Sequence, residues 1–241
     1  MKKLRRITDA EVIAEFLKAE FYHSEYENDR HKFEAFVYNP DLTDETENAI
    51  RRALLFRRRG TMWRELPEDT QWWEVELDFD DLGQVNVFPR AQWRRISDGD
   101  FQALHVVERI RRQLQEGKTD RLLSKITRLH GSMKDTGIKS TIMLIGIDET
   151  LPVTVLEGNH RFVSALLLPR EVTFRRIRPV CGFSPEMERC CWYKTDLSNL
   201  LQYTKNRIKH LWSRDADVSR FKTEGSAGYA NAVGFPNIKS E

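Results

Sequence analysis

Apolar residues recur every three or four positions through the first sixty residues, and that period predicts helices. Asp9 is placed to cap a helix over residues 10–21, with Val12, Ile13, Phe16 and Leu17 on one face. A second helix is expected from Glu27 to Val37, stopped by Asn39-Pro40. A third starts at Thr43 or Asp44, buries Ile50, Leu54 and Leu55, and ends at Gly60. Its last turn carries Arg57-Arg58-Arg59, where cations favour the helix dipole. The period then changes. Trp72, Trp73, Val75 and Leu77 lead a strand, and Val85 to Phe88 form another.

Helical spacing returns from Ser97 or Asp98 to Gln115, with Phe101, Leu104, Val107, Ile110 and Leu114 on one side. Gly117 breaks that helix and Asp120 opens the next. There, Leu122, Leu123, Ile126 and Leu129 share one arc, while Arg121, Ser124 and Arg128 fall on the opposite one. Apolar strands follow at 141–147 and 153–156, separated by a turn at Asp148-Glu149, and then an apolar helix over 159–168. Val172 to Cys181 alternates as a strand, with Arg175, Arg176 and Arg178 interspersed. An amphipathic helix is expected from Thr195 or Asp196 to Trp212, its inner face being Leu197, Leu200, Leu201, Ile208 and Leu211. The pattern divides the chain into a helical extension (1–66), a mixed core (67–192), a C-terminal helix (193–213) and a polar, mobile tail (214–241).

Composition narrows the class without fixing a function. The 241 residues are 40% hydrophobic and 32% charged, as in a globular protein that can bury a substantial core. No apolar run is long enough to cross a bilayer, and the basic N-terminus leads into an acidic amphipathic segment, so no membrane partner and a cytoplasmic location are expected. Cys181, Cys190 and Cys191 have neither zinc spacing nor a framework for bridges, and fit reduced, packed thiols. The net charge of +2 hides an asymmetry: residues 61–100 hold 4 basic and 10 acidic side chains, residues 101–180 hold 14 and 8. The positive segment suits a polyphosphate ligand. It suits nucleic acid as well, although a pI near 8.4 falls short of a strongly basic binding domain.

The chemistry concentrates in that segment. Strand residues Val153 to Leu156 end in Glu157-Gly158, and the following helix opens with Asn159, His160 and Arg161. First-turn N–H groups have no partner within a helix and sit at the positive end of its dipole, so anions settle there. Gly158 permits a sharp turn and close backbone approach, and Glu157 on the rim can bind a metal or take a proton. The same residues also fit a plain solvated cap at a strand-to-helix junction.

The acid-Gly-x-His-Arg run between a strand and a short apolar helix resembles the signature of the ParB/sulfiredoxin superfamily. With Val85 to Arg90 as its first strand and exit, the resemblance covers roughly residues 71–180. It implies a small mixed α/β sheet with helices. It also implies a nucleotide site in which Gly158, Asn159, His160 and Arg161 hold phosphates while Arg121, Ser124 and Arg128 face the nucleotide from the preceding helix. Arg128 stands where a hydroxyl is expected.

Within the superfamily, sulfiredoxin requires a cysteine where this chain has Asn159. ParB-type clamps switch with CTP, carry extra arginines at 159 and 160, and continue into a helix-turn-helix, whereas one long helix follows Cys191 here. The free-serine kinase branch, with acid-Gly-His-His-Arg, is nearest. Glu157 replaces its Asp and Asn159 its first His, which leaves the acid's role between base and metal ligand. The resemblance therefore implies transfer of phosphate from ATP or ADP (CTP in the ParB sense) with Mg²⁺, onto a small hydroxyl compound. Glu157 and His160 would act in catalysis, and Glu157 would meet the metal. The alternative is a nucleotide-gated regulatory or nucleic-acid-associated protein, a nuclease included. The acids Glu74, Asp80 and Asp81 lie near the first strands without an assigned role, and the oligomeric state is not legible.

Overall fold

The computed structural model describes residues 1–89, 92–136, 139–150 and 152–221. The expected tail beyond 221 and Arg90 of the strand exit lie outside these residues. The fold is mixed α/β and divides into two compact units, residues 1–12 with 61–213, and residues 13–60 with the segment after 213.

The second unit holds most of α1 (Asp9–Glu20), all of α2 (Glu27–Tyr38) and most of α3 (Glu45–Trp63). Phe16, Leu17, Phe21, Val37, Leu54 and Leu55 are buried as the sequence period requires. Arg51 is buried completely. Its guanidinium donates to the carbonyls of Phe36 (2.9 Å) and Asp41 (2.6 Å), to Glu47 (2.7 Å) and to Asn48 (2.6 Å), which ties the end of α2 and its following loop to α3. Helix α3 runs past the expected stop at Gly60, which is buried. The arginine run is engaged by acids rather than left to the helix dipole: Arg57 pairs with Asp29, while Arg58 and Arg59 reach Glu20 at 3.2 and 3.4 Å.

The first unit is built on six strands: β1 (Lys2–Ile7), β2 (Gln71–Glu76), β3 (Val85–Asn86), β4 (Ser140–Gly146), β5 (Val153–Glu157) and β6 (Ile177–Phe183). Their order is β1-β2-β6-β4-β5-β3. β6 runs parallel to β4, β3 runs parallel to β5, and the other neighbours are antiparallel. The central strands read as near-continuous apolar runs because both of their faces are covered. The register of β2 on β6 ends at Glu74↔Val180, one residue before Pro179, which has no N–H to offer a ladder. Trp72 lies against Gly182, where an added Cβ would stand 2.9 Å from the indole.

Several readings of the sequence are corrected in this unit. Lys2 to Ile7, expected to lead a helical extension, is a sheet strand in register with β2, with Lys2 opposite Glu76 and Arg5 opposite Glu74, whose carboxylate accepts from Arg5 Nε at 3.0 Å. The helix expected from Ser97 or Asp98 to Gln115 begins only at Ala103 (α5, Ala103–Gln115), because Asp98 and Gly99 take φ of 50° and 86°; they end a short helix the sequence did not suggest, α4 (Gln92–Ser97). Residues 172–176 are not strand: α8 (Arg170–Thr173) precedes β6, and Thr173 Oγ1 donates to the Ala165 carbonyl at 3.1 Å.

Two helices place the candidate site. Asp120 caps α6 (Arg121–Thr136) through the Leu123 N–H at 2.8 Å. α6 packs along α7 (Asn159–Leu166), where Ser164 Oγ donates to the Ile126 carbonyl at 3.1 Å. The last helix, α9 (Leu197–Lys209), is capped by Asp196 as expected, gives way to a 3₁₀ turn over His210–Trp212, and is turned inside out: Leu197, Leu201 and Ile208 are exposed, as is Leu211 in that turn. Its docked side is polar. Asn199 donates to the carbonyls of Glu188 and Lys194 at 2.9 and 2.8 Å, and Asn206 donates to Glu65 at 3.1 Å. Tyr203 meets Trp192 edge-on, with centroids 5.2 Å apart.

Candidate functional site

The site begins where β5 leaves the sheet. Gly158 stands at φ 90°, ψ 16°, a left-handed conformation that turns the chain straight into α7. A Cβ here would lie 2.9 Å from Ile142 Cδ1 and 3.4 Å from the Thr141 carbonyl, so space as well as dihedral demands glycine. The Gly158 carbonyl accepts the Phe162 N–H at 2.8 Å, which closes the first turn of α7. The N–H groups of Asn159, His160 and Arg161 precede that bond, at the positive end of the helix.

Asn159 is a fastening rather than a ligand-facing group. It is buried, its Oδ1 accepts the Phe88 N–H at 2.8 Å, and its Nδ2 donates to the Val155 carbonyl at 3.1 Å. The amide therefore ties the exit of β3 to the turn, and a cysteine, with only a weak donor and a weak acceptor, would not hold both bonds.

His160 is half-buried, with its ring 5.2 Å from that of Trp93, and Gln92 Nε2 lies 2.5 Å from His160 Nε2. An amide nitrogen can only donate, so the imidazole accepts with a lone pair and carries its proton on Nδ1. Burial first, then the charge of Lys125, push its pKa down to about 4; Glu157 pulls the other way, and Arg161 adds a still smaller push downward. His160 is thus neutral in the free protein.

Glu157 folds back on the turn. Its Oε1 accepts the Gly158 N–H at 2.8 Å and lies 4.0 Å from an Arg161 guanidinium nitrogen. Arg161 and Glu157 are both partly exposed, so the pair can be opened by an incoming anion.

The structure brings together Glu157, Gly158, Asn159, His160 and Arg161 as the sequence suggested. It places Arg121, Ser124 and Arg128 on the exposed side of α6, and it is Lys125 whose field reaches His160. Lys125, Gln92 and Trp93 were missed. The signal for Lys125 was present: it sits at the boundary between the apolar and polar arcs of α6, where a long cationic side chain reaches over a packed neighbour. Gln92 and Trp93 carried no local signal, since only the tertiary fold sets α4 beside α7. Among the described residues no three His, Cys, Asp or Glu side chains cluster as a metal set. No helix among them is long and apolar enough to cross a membrane. Comparison with protein-family models, with curated proteins and with solved structures returns no match.

Proposed function

We propose that the turn from Glu157 to Arg161 binds the phosphates of ATP or ADP, and that the protein transfers phosphate to a small hydroxyl compound. One observation carries this reading: a left-handed glycine aims the open first turn of α7 past Arg161, with Lys125 adding positive charge beside it. Phosphate would pull Arg161 from Glu157, and first-turn backbone N–H groups would donate to the anion without reorganisation.

Phosphoryl transfer asks for position and charge compensation more than for covalent help. The acceptor oxygen would attack the terminal phosphorus as the bond to the leaving phosphate breaks. Glu157, released from Arg161, would take the hydroxyl proton, and Arg161 and Lys125 would balance charge on the phosphoryl oxygens. His160 enters as a neutral imidazole; it would hold the turn through Gln92 and offer Nδ1–H to a phosphate. Mg²⁺ fits only as a guest of the phosphates, because Glu157 stands among cationic side chains and a magnesium site is usually completed by phosphate oxygens. When bound it would supply further charge neutralisation.

Titrating the protein with ATP and ADP in a calorimeter, then following phosphate from the nucleotide to a pool of hydroxyl metabolites by mass spectrometry, tests the proposal. Saturable binding that Arg161→Gln weakens, together with a phosphorylated product, is the expected result. No heat with either nucleotide would remove it.

A further inference from the structure

Helix α9 presents an apolar stripe to solvent while its polar side is hydrogen-bonded to the body of its unit. Leu197 is 74% exposed and Ile208 57%, and in the 3₁₀ turn His210–Trp212 that continues the helix Leu211 is 68% and Trp212 81% exposed. The helix cannot roll to hide them without breaking the bonds of Asn199 and Asn206, and the Asn199 amide is buried. A fixed stripe of this size on one helix marks a contact surface.

We propose that the stripe is the contact between two copies of this chain, with their α9 helices packed antiparallel about a two-fold axis at Thr204. The spacing carries the choice of occupant. Leu197 and Leu211 lie seven residues to either side of Thr204, and Leu200 and Ile208 lie four to either side. A two-fold contact needs a patch complementary to itself, and these two pairs exchange when the helix is reversed, so each Leu200 meets the other copy's Ile208 while Leu201 lies along the aliphatic stem of the other copy's Arg207. Thr204 is exposed at the centre and small enough for close approach, its hydroxyl turned back onto the Leu200 carbonyl at 2.9 Å.

Charge selects the same arrangement. Lys205, Arg207 and Lys209 all follow Thr204, and residues 197–203 carry no charge. Antiparallel packing sets each basic half along the other copy's uncharged half, whose N-terminus holds Asp196, and opposes the two helix dipoles. Parallel packing would put the two basic halves side by side.

Sedimentation equilibrium of the full chain should give a dimer. Ile208→Lys should raise its dissociation constant at least tenfold while the melting temperature holds, because Ile208 is exposed in the single copy. Thr204→Cys should form a covalent dimer with oxidised glutathione; Cys181, Cys190 and Cys191 are buried and do not compete. Lys209→Cys should not, since the two substituted positions would lie roughly 15 Å apart along the helix axis. A protein that stays monomeric at all concentrations, or that is captured through this stripe as a monomer by an acidic peptide or anionic vesicle, would overturn the proposal. So would a dimer that Thr204→Cys fails to cross-link.

Discussion

The Gln92 amide nitrogen lies 2.5 Å from His160 Nε2, and in this orientation it donates to the ring of the second residue of α7 and favours the neutral Nδ1–H tautomer. A protonated imidazole would need the Gln92 amide turned over, so that its oxygen accepts from Nε2–H. Burial against Trp93 and the fields of Lys125 and Arg161 act in the same direction.

A pH dependence follows with a definite sign. The unfolded imidazole titrates near 6.5 and the folded one near about 4, so the unfolded state binds the extra proton between those values. The contribution is fully present above pH 6.5 and is lost as pH falls towards 4, at up to about 1.4 kcal/mol per pH unit. Urea unfolding of the parent and of His160→Gln at several pH values should show a steeper loss in the parent across this window. Parallel curves would mean that the imidazole is not held neutral.

Phosphate binding should be linked to proton uptake. A dianion beside Nδ1 raises the pKa of His160, so nucleotide affinity should increase as pH drops from 7 to about 5.5. Calorimetry in buffers of different ionisation heat should report fractional proton uptake, absent in His160→Gln. Because His160 packs on Trp93, its removal will also lower the melting temperature. Arg161→Gln with Lys125→Gln is therefore the cleaner pair for affinity, and it should weaken binding at least tenfold, charge-assisted bonds being worth about 1.5–3 kcal/mol each.

Glu157→Gln separates an enzyme from a switch. The amide can still accept the Gly158 N–H, so nucleotide binding should persist while turnover falls by two orders of magnitude or more. A phosphotransfer assay with unchanged product would make Glu157 a purely structural residue. Duplex DNA binding that requires nucleotide, weakens steeply with salt and yields no transfer product would instead favour the nucleic-acid reading.

Gly158→Ala should cost on the order of 1–3 kcal/mol, since φ of 90° is strained for alanine and its Cβ meets Ile142. Gly182→Ala tests a purely steric version of the same demand, with Trp72 and Thr70 within 3.0 Å of the new carbon. Thermal unfolding should show both losses, and only the first should also weaken nucleotide binding.

Legibility followed the range of the forces involved. β4, β5 and α7 stood out because burial on both faces gives unbroken apolar runs and glycine marks the turn. The caps Asp120 and Asp196 were equally local. β1 was not legible, because Lys2, Arg5 and Arg6 suit a strand only when Glu74 and Glu76 stand opposite, some seventy residues away. α9 was misread for a related reason. Its stripe of leucines announces amphipathicity but not which side faces in, and that was settled by Asn199, Tyr203 and Asn206 finding specific partners. In the site, the turn was visible as five consecutive residues, whereas Gln92, Trp93 and Lys125 came from other helices.

The pairing of β1 with β2 has a consequence for biosynthesis. The two strands are antiparallel neighbours, yet the helices of residues 13–60 are threaded between them in the sequence. On a ribosome Lys2–Ile7 emerges before Gln71–Glu76 and must wait until that strand clears the exit tunnel, while the helices between can already form their short-range contacts. A nascent chain halted before residue 71 would hold a charged strand with nothing to pair with, and its lysines and arginines would guard that exposed edge against pairing with other chains until the sheet closes.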